Sequence, residues 1–94
     1  MTKVLFRTYG HPTHIVGGGQ VDIEFRGVTV KDLLDELIRT FGTPMRNILY
    51  PKGDKFSEML YVLINGNNMI YLDGLASKLK DGDVVAVLPI TAGG

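Results

Sequence analysis

The sequence predicts an α+β domain in which one main helix packs on a sheet. Three stretches predict it. VDIEFRG alternates apolar and charged residues, the period of a strand with one wet face. TVKDLLDELIRTFG repeats apolar residues at helical spacing. VVAVLPI is apolar on both faces, as a central strand would be. A mixed sheet wrapping the helix accommodates this order.

KVLFRTY is the first strand, rich in β-branched and aromatic residues. Val4, Phe6 and Thr8 share one face, and Lys3, Leu5, Arg7 and Tyr9 the other. GHPTHIVGGGQ reads as a wide, mobile hairpin loop, with its glycines and proline. In the second strand Val21, Ile23 and Phe25 point inward, and Asp22, Glu24 and Arg26 outward. The two strands pair as an antiparallel hairpin.

In the helix Thr29 is the N-cap and Asp32 completes a capping pattern. Val30, Leu33, Leu34, Leu37, Ile38 and Phe41 make one broad apolar face. Gly42 stops the helix and Pro44 opposes its continuation. MRNILYP predicts a short helical turn with Met45, Ile48 and Leu49 inward, and KGDKFSE a surface loop. LYVLIN is a strand, GNN a turn, and MIYLD a brief returning strand. GLASKLKDGD holds a helical or 3₁₀ turn with Leu75 and Leu79 inward, ending on a strong turn signal.

Val84, Ala86, Leu88 and Ile90 share one face of the final strand, and Val85, Val87 and Pro89 the other. With a single long helix, part of the second face is left as a partner surface. Val85, Val87, Pro89 and Ile90 are the candidate docking residues. Pro89 cannot donate to a ladder, so the chain is expected to leave the sheet there.

Composition excludes several function classes. A chain of 94 residues fits one domain. There is no cysteine, which removes disulfides and thiolate nucleophiles. Ten basic and ten acidic residues balance, with no basic block, so no nucleic-acid footprint is visible. No stretch reads as a signal peptide or a membrane span, and a cytoplasmic setting is expected. His11 and His14 form an H-x-x-H pair, but Pro12 and the glycines place it in a loop, so no metal is expected. GGGQ lacks the Gly-Lys-Ser/Thr continuation of a phosphate loop. Asp32, Asp35 and Glu36 are explained by the positive end of the helix dipole rather than by acid–base work. Lys52 and Lys55 read as solvated. No nucleophile and base are arranged for an enzyme.

The sequence ends PITAGG. A glycine pair gives a slim, flexible tail with no side chains to obstruct close approach. Together with LINGNN and LASKLKDGDVVAVLPITAGG, that ending resembles the ubiquitin-like sulfur carriers. These β-grasp proteins include the small subunit of molybdopterin synthase and the thiamine-pathway carrier. The matching residues are Leu79, Asp81, Gly82, Asp83 and Val85, then the apolar strand, Pro89 and the terminal glycines. The likeness covers the last third closely, and the rest in element order. LPI stands where the molybdopterin synthase subunit often has two prolines, and the loop from Gly10 to Gln20 is long. Both the GGG loop and the ending look closer to an archaeal and actinobacterial variant group. One actinobacterial relative in it delivers sulfur for cysteine synthesis, and some archaeal ones are conjugated to proteins.

The resemblance implies a β-grasp domain over residues 1–90, with 91–94 as an extended reactive tail. It implies parallel pairing of the first and last strands. It further implies that an E1-like enzyme uses ATP to adenylate the Gly94 carboxylate, and that a sulfur donor converts it to a thiocarboxylate. The leading expectation is that the sulfur then passes to the large subunit of molybdopterin synthase for molybdenum or tungsten cofactor synthesis, with acceptors in cysteine or thiamine synthesis as the alternatives. Gly94 is the modified residue and Gly93 gives steric clearance, while Ala92 and Thr91 extend the tail into the partner. Gly82, Asp81 and Asp83 serve the turn. The protein itself would be a carrier, not an enzyme, with no stably bound cofactor. A ubiquitin-like modifier joined to lysines through Gly94 remains open, as does a plain binding module with an incidental tail.

Overall fold

Residues 1–90 are described in the computed structural model, residues 11–13 by their backbone alone. Thr91, Ala92, Gly93 and Gly94 lie outside the described residues. The first strand, β1 (Thr2–Thr8), buries Thr2, Val4, Phe6 and Thr8 on alternate positions. It pairs antiparallel with β2 (Gln20–Phe25), placing Val4 opposite Ile23 and Thr2 opposite Phe25. The inward residues of both strands floor the core.

Between them, the segment expected to be a loop forms a short helix, α1 (His11–Val16). Gly10 and Gly17 bracket it with φ of 72° and 85°, values that favour glycine. Pro12 falls in its first turn, where a missing N–H is not needed. Ile15 and Val16 pack against the core, which gives this turn its reason to be ordered. The Thr8 N–H donates to the Gly19 carbonyl at 2.9 Å and closes the hairpin behind it.

The main helix, α2 (Val30–Phe41), starts at a complete capping box. The Asp32 N–H donates to Thr29 Oγ1 at 3.2 Å, while Asp32 Oδ2 accepts from the backbone of Thr29 at 3.1 Å and Val28 at 3.0 Å. Val30, Leu33, Leu34 and Leu37 are fully buried. The chain then restarts as α3 (Thr43–Leu49), with Pro44 in its first turn and Met45 and Leu49 buried. Proline here begins a helix as well as ending one.

After an exposed loop come β3 (Leu60–Ile64) and the two-residue β4 (Asn67–Asn68). Asn65 and Gly66 join them with φ of 50° and 87°, the paired positive values of a type I′ hairpin turn. The expected strand over MIYLD is instead a 3₁₀ turn, Met69–Tyr71, capped by the Asn68 side chain accepting from the Ile70 N–H. A second 3₁₀ turn, Gly74–Ala76, leads to buried Leu79.

The last strand, β5 (Val84–Pro89), enters the middle of the sheet, giving the order β2-β1-β5-β3-β4. It runs parallel to β1 and antiparallel to β3. This is the β-grasp arrangement, a mixed sheet packed on one main helix.

The start of β5 is pinned by the two turn motifs acting together. Asp83 is buried, its Oδ1 accepting from Asn65 Nδ2 at 3.0 Å and its Oδ2 from the Lys80 N–H at 2.8 Å. Asn65 Oδ1 accepts from the Val84 N–H at 2.9 Å, and Asp81 Oδ1 from the Lys3 N–H at 2.9 Å. Replacing Asp83 by Ala leaves the Asn65 amide and the Lys80 N–H without these acceptors. Urea titration should show the variant destabilised by about 2 kcal/mol.

Asp32 supplies a pH dependence. The N–H groups of Val28 and Thr29 hold its carboxyl below the ordinary value of 3.8. A carboxyl depressed in the folded state contributes stability that is complete above the unfolded value and lost as pH falls through the folded one. The melting temperature should therefore be level above about pH 5 and fall below about pH 4, with a smaller fall in Asp32→Asn.

Candidate functional site

The alternation of β5 decides which side chains a partner meets. Val85 and Val87 are fully buried beneath the helices. They were expected to belong to a docking surface, and burial in the core corrects that expectation. Cover from α1, α2 and α3, rather than from one helix, closes the inner face. The accessible face carries the opposite set, Val84, Ala86 and Leu88, each half-buried. Pro89 and Ile90 are also half-buried.

Neighbouring strands extend this face. Leu5 stands opposite Val84, Leu63 opposite Ala86, and Tyr61 opposite Leu88. Tyr9 follows the end of β1 beside the same stretch of β5, since Thr8 pairs with Val87 and the Tyr9 N–H donates to the Val87 carbonyl. Tyr9 is 51% exposed and Tyr61 39%, so the chain on both sides of this part of β5 carries an accessible tyrosine. Lys3 and Arg7 on β1 and Asp22 and Glu24 on β2 add a charged margin on one side only. Apolar centre with a polar rim is the anatomy of a protein interface.

Leu88, Tyr9 and Tyr61 were not among the candidates from sequence. Their signal was present in the period of β5, where Leu88 lies on the face opposite Val87. Without the number of helices, the covered and open faces could not be told apart.

The end of β5 differs from the expected exit at Pro89. On the β3 side pairing continues through Leu60–Pro89, and the Ile90 N–H donates to the Met59 carbonyl at 2.8 Å. On the β1 side the Tyr9 N–H donates to the Val87 carbonyl at 3.2 Å. The next bond of that parallel ladder would need an N–H at residue 89, which proline lacks. Pro89 thus ends one ladder and not the other. Met59 beside the exit is 63% exposed.

Among the described residues, the titratable groups with shifted pKa values lie away from this end of the sheet. The shifted ones lie on α2 and at Tyr50. Asp35 raises Lys31 through their 3.1 Å ion pair, Arg39 and then Thr40 lower Glu36, and burial raises Tyr50. Among the described residues no group of three or more His, Asp or Glu side chains is placed to hold a metal. His14 is exposed on α1, and the side chain of His11 is outside the described set. Nor is any helix of the described residues long and apolar enough to cross a membrane. The arrangement offers an accessible, largely apolar sheet face with the bonded end of β5 beside it.

Known proteins share this layout. A putative sulfur carrier protein of Archaeoglobus fulgidus is 30% identical over 84% of this chain and 89% of its own length. The sulfur carrier protein CysO of Mycobacterium tuberculosis is 27% identical over 82% of this chain and 84% of its own. The solution structure of small archaeal modifier protein 1 from Methanosarcina acetivorans superposes with a TM-score of 0.85 at 28% identity, covering 100% of this chain and 98% of that one. The model of the ThiS family matches residues 7–94, from β1 through the final glycines. The chain belongs to the ThiS family, within the ubiquitin-like sulfur carriers and modifiers.

Proposed function

We propose that the chain carries sulfur as a thiocarboxylate on Gly94, formed on an E1-like enzyme and delivered to a second enzyme. The observation that carries this reading is the family match through residue 94, which takes in Gly93 and Gly94 as well as the folded domain. The Gly94 carboxylate would attack the α-phosphorus of ATP and release pyrophosphate. A sulfur donor would then displace AMP from the acyl-adenylate. A carboxylate is a poor electrophile and an acyl phosphate a good one, so the ATP step supplies the leaving group. The carrier contributes position and the partner contributes catalysis. Gly93 gives clearance beside the reacting carbon, and Ala92 and Thr91 provide reach.

A cysteine-forming or thiamine-forming acceptor is the destination we favour over molybdopterin synthase. Relatives at 27–30% identity bear the names of sulfur carriers and a modifier, whereas the likeness to a putative molybdopterin converting factor subunit of Pyrococcus furiosus is at 24% identity and speaks for the fold alone. The whole-chain similarity to small archaeal modifier protein 1 favours a second use of the same adenylate, attack by a lysine amine to give an isopeptide bond.

Mass analysis of the peptide released after Lys80 from natively expressed protein tests both uses. Exchange of one oxygen for sulfur is expected on Gly94. A lysine-linked remnant would identify conjugation. Deleting Gly93 and Gly94 should abolish both species, and a bare carboxylate in cells with an active adenylating enzyme would refute the carrier reading.

Docking is expected on the open sheet face, with Pro89 and Ile90 at its edge. Leu88→Arg should leave the fold intact and weaken binding to the adenylating enzyme roughly 10- to 100-fold by calorimetry. Val87→Asp should instead unfold the domain, seen as loss of circular dichroism, because it places a charge in the core.

A further inference from the structure

Gly10 stands where β1 ends and α1 begins, with φ of 72°. A Cβ added there would lie 3.1 Å from Pro89 Cγ and 3.4 Å from its Cδ. The bare α-carbon therefore lets the chain corner close onto the proline ring. This contact begins where the β1 ladder stops, because Pro89 has no N–H to offer Tyr9. Across the strand, the Ile90–Met59 hydrogen bond holds the other side. The end of β5 is thus gripped by a ring contact on one side and a backbone bond on the other.

We infer that Gly10 is a positioning residue, whose close contact with Pro89 fixes the direction in which the chain leaves the sheet toward Gly94. The inference rests on the carrier reading above and names the device that aims its reactive end. Ile90 is where the remaining chain begins, so displacing the strand end displaces the point from which residues 91–94 must reach the partner. An error of about 1 Å at a reacting centre can cost up to about 100-fold in rate.

Amide hydrogen exchange on the purified protein tests the grip without any partner. In Gly10→Ala the Ile90 amide should exchange at least about tenfold faster, while Val85 and Val87 in mid-strand keep their protection. The added methyl also suffers at positive φ, and that strain persists in the double variant Gly10→Ala/Pro89→Ala. Pro89→Ala removes the ring and adds an N–H at residue 89, and both changes are shared with the double variant, so comparing the two isolates the effect of the methyl at residue 10 once the ring is gone. The double variant should exchange within about threefold of Pro89→Ala alone.

ATP–pyrophosphate exchange with the organism's own E1-like enzyme tests the purpose. Gly10→Ala should lower kcat about tenfold with KM within about threefold, and the double variant should recover to the level of Pro89→Ala. Unchanged Ile90 exchange in Gly10→Ala, or no rescue in the double variant, overturns the grip. Faster Ile90 exchange with an unaltered kcat makes the contact structural and overturns the positioning role. If the parent chain supports no ATP–pyrophosphate exchange, the carrier reading fails and the positioning role with it. The amide data tell that failure apart from failure of the grip.

Discussion

The domain depends on one insertion, that of β5 between β1 and β3. The first pair of strands is a local hairpin, and so is the second. Neither hairpin touches the other in the sheet, and β5 alone joins them. Its parallel side faces a strand some eighty positions earlier, so its register has no tight turn to set it. The register comes from side chains instead. Asp83 and Asn65 bind each other and the backbone at the point where β5 begins. Asp81 ties the same turn to Lys3 at the start of β1. A slip of one residue would turn Val85 and Val87 out to solvent, so core burial and the polar clasp reinforce one another.

Much of this was legible from the residue order. The period of VDIEFRG, the capped apolar face from Thr29 to Phe41 and the two-faced β5 all predicted their observed positions. The errors have a common physical source. HPTHIV has glycines on both sides and a proline inside, which are loop signals in isolation. Its helix depends on Ile15 and Val16 finding the core, a tertiary fact. MIYLD has strand propensity, but the Asn68 side chain diverts the backbone into a 3₁₀ turn.

The candidate site divides along the same line. Its terminal glycines were visible by likeness to a family and lie outside the described residues. The docking surface needed the fold. β5 alternates faithfully, yet alternation alone does not say which face is covered. Once α1 and α3 join α2 on the inner side, Val87 belongs to the core and Leu88 to the surface. Gly10 carried no sequence signal at all beyond being one glycine among twelve. Its meaning lies in the nearness of Pro89, some eighty residues away in the chain.

The lone joining strand has a consequence for biosynthesis. A nascent chain that stops short of residue 84 lacks the strand that joins its two hairpins in the sheet, and each hairpin exposes an unpaired edge. Neither ribbon can complete the sheet that α2 covers. Chains that lack β5 should fold poorly and be open to proteolysis, which would enrich the folded pool in molecules whose translation reached that strand.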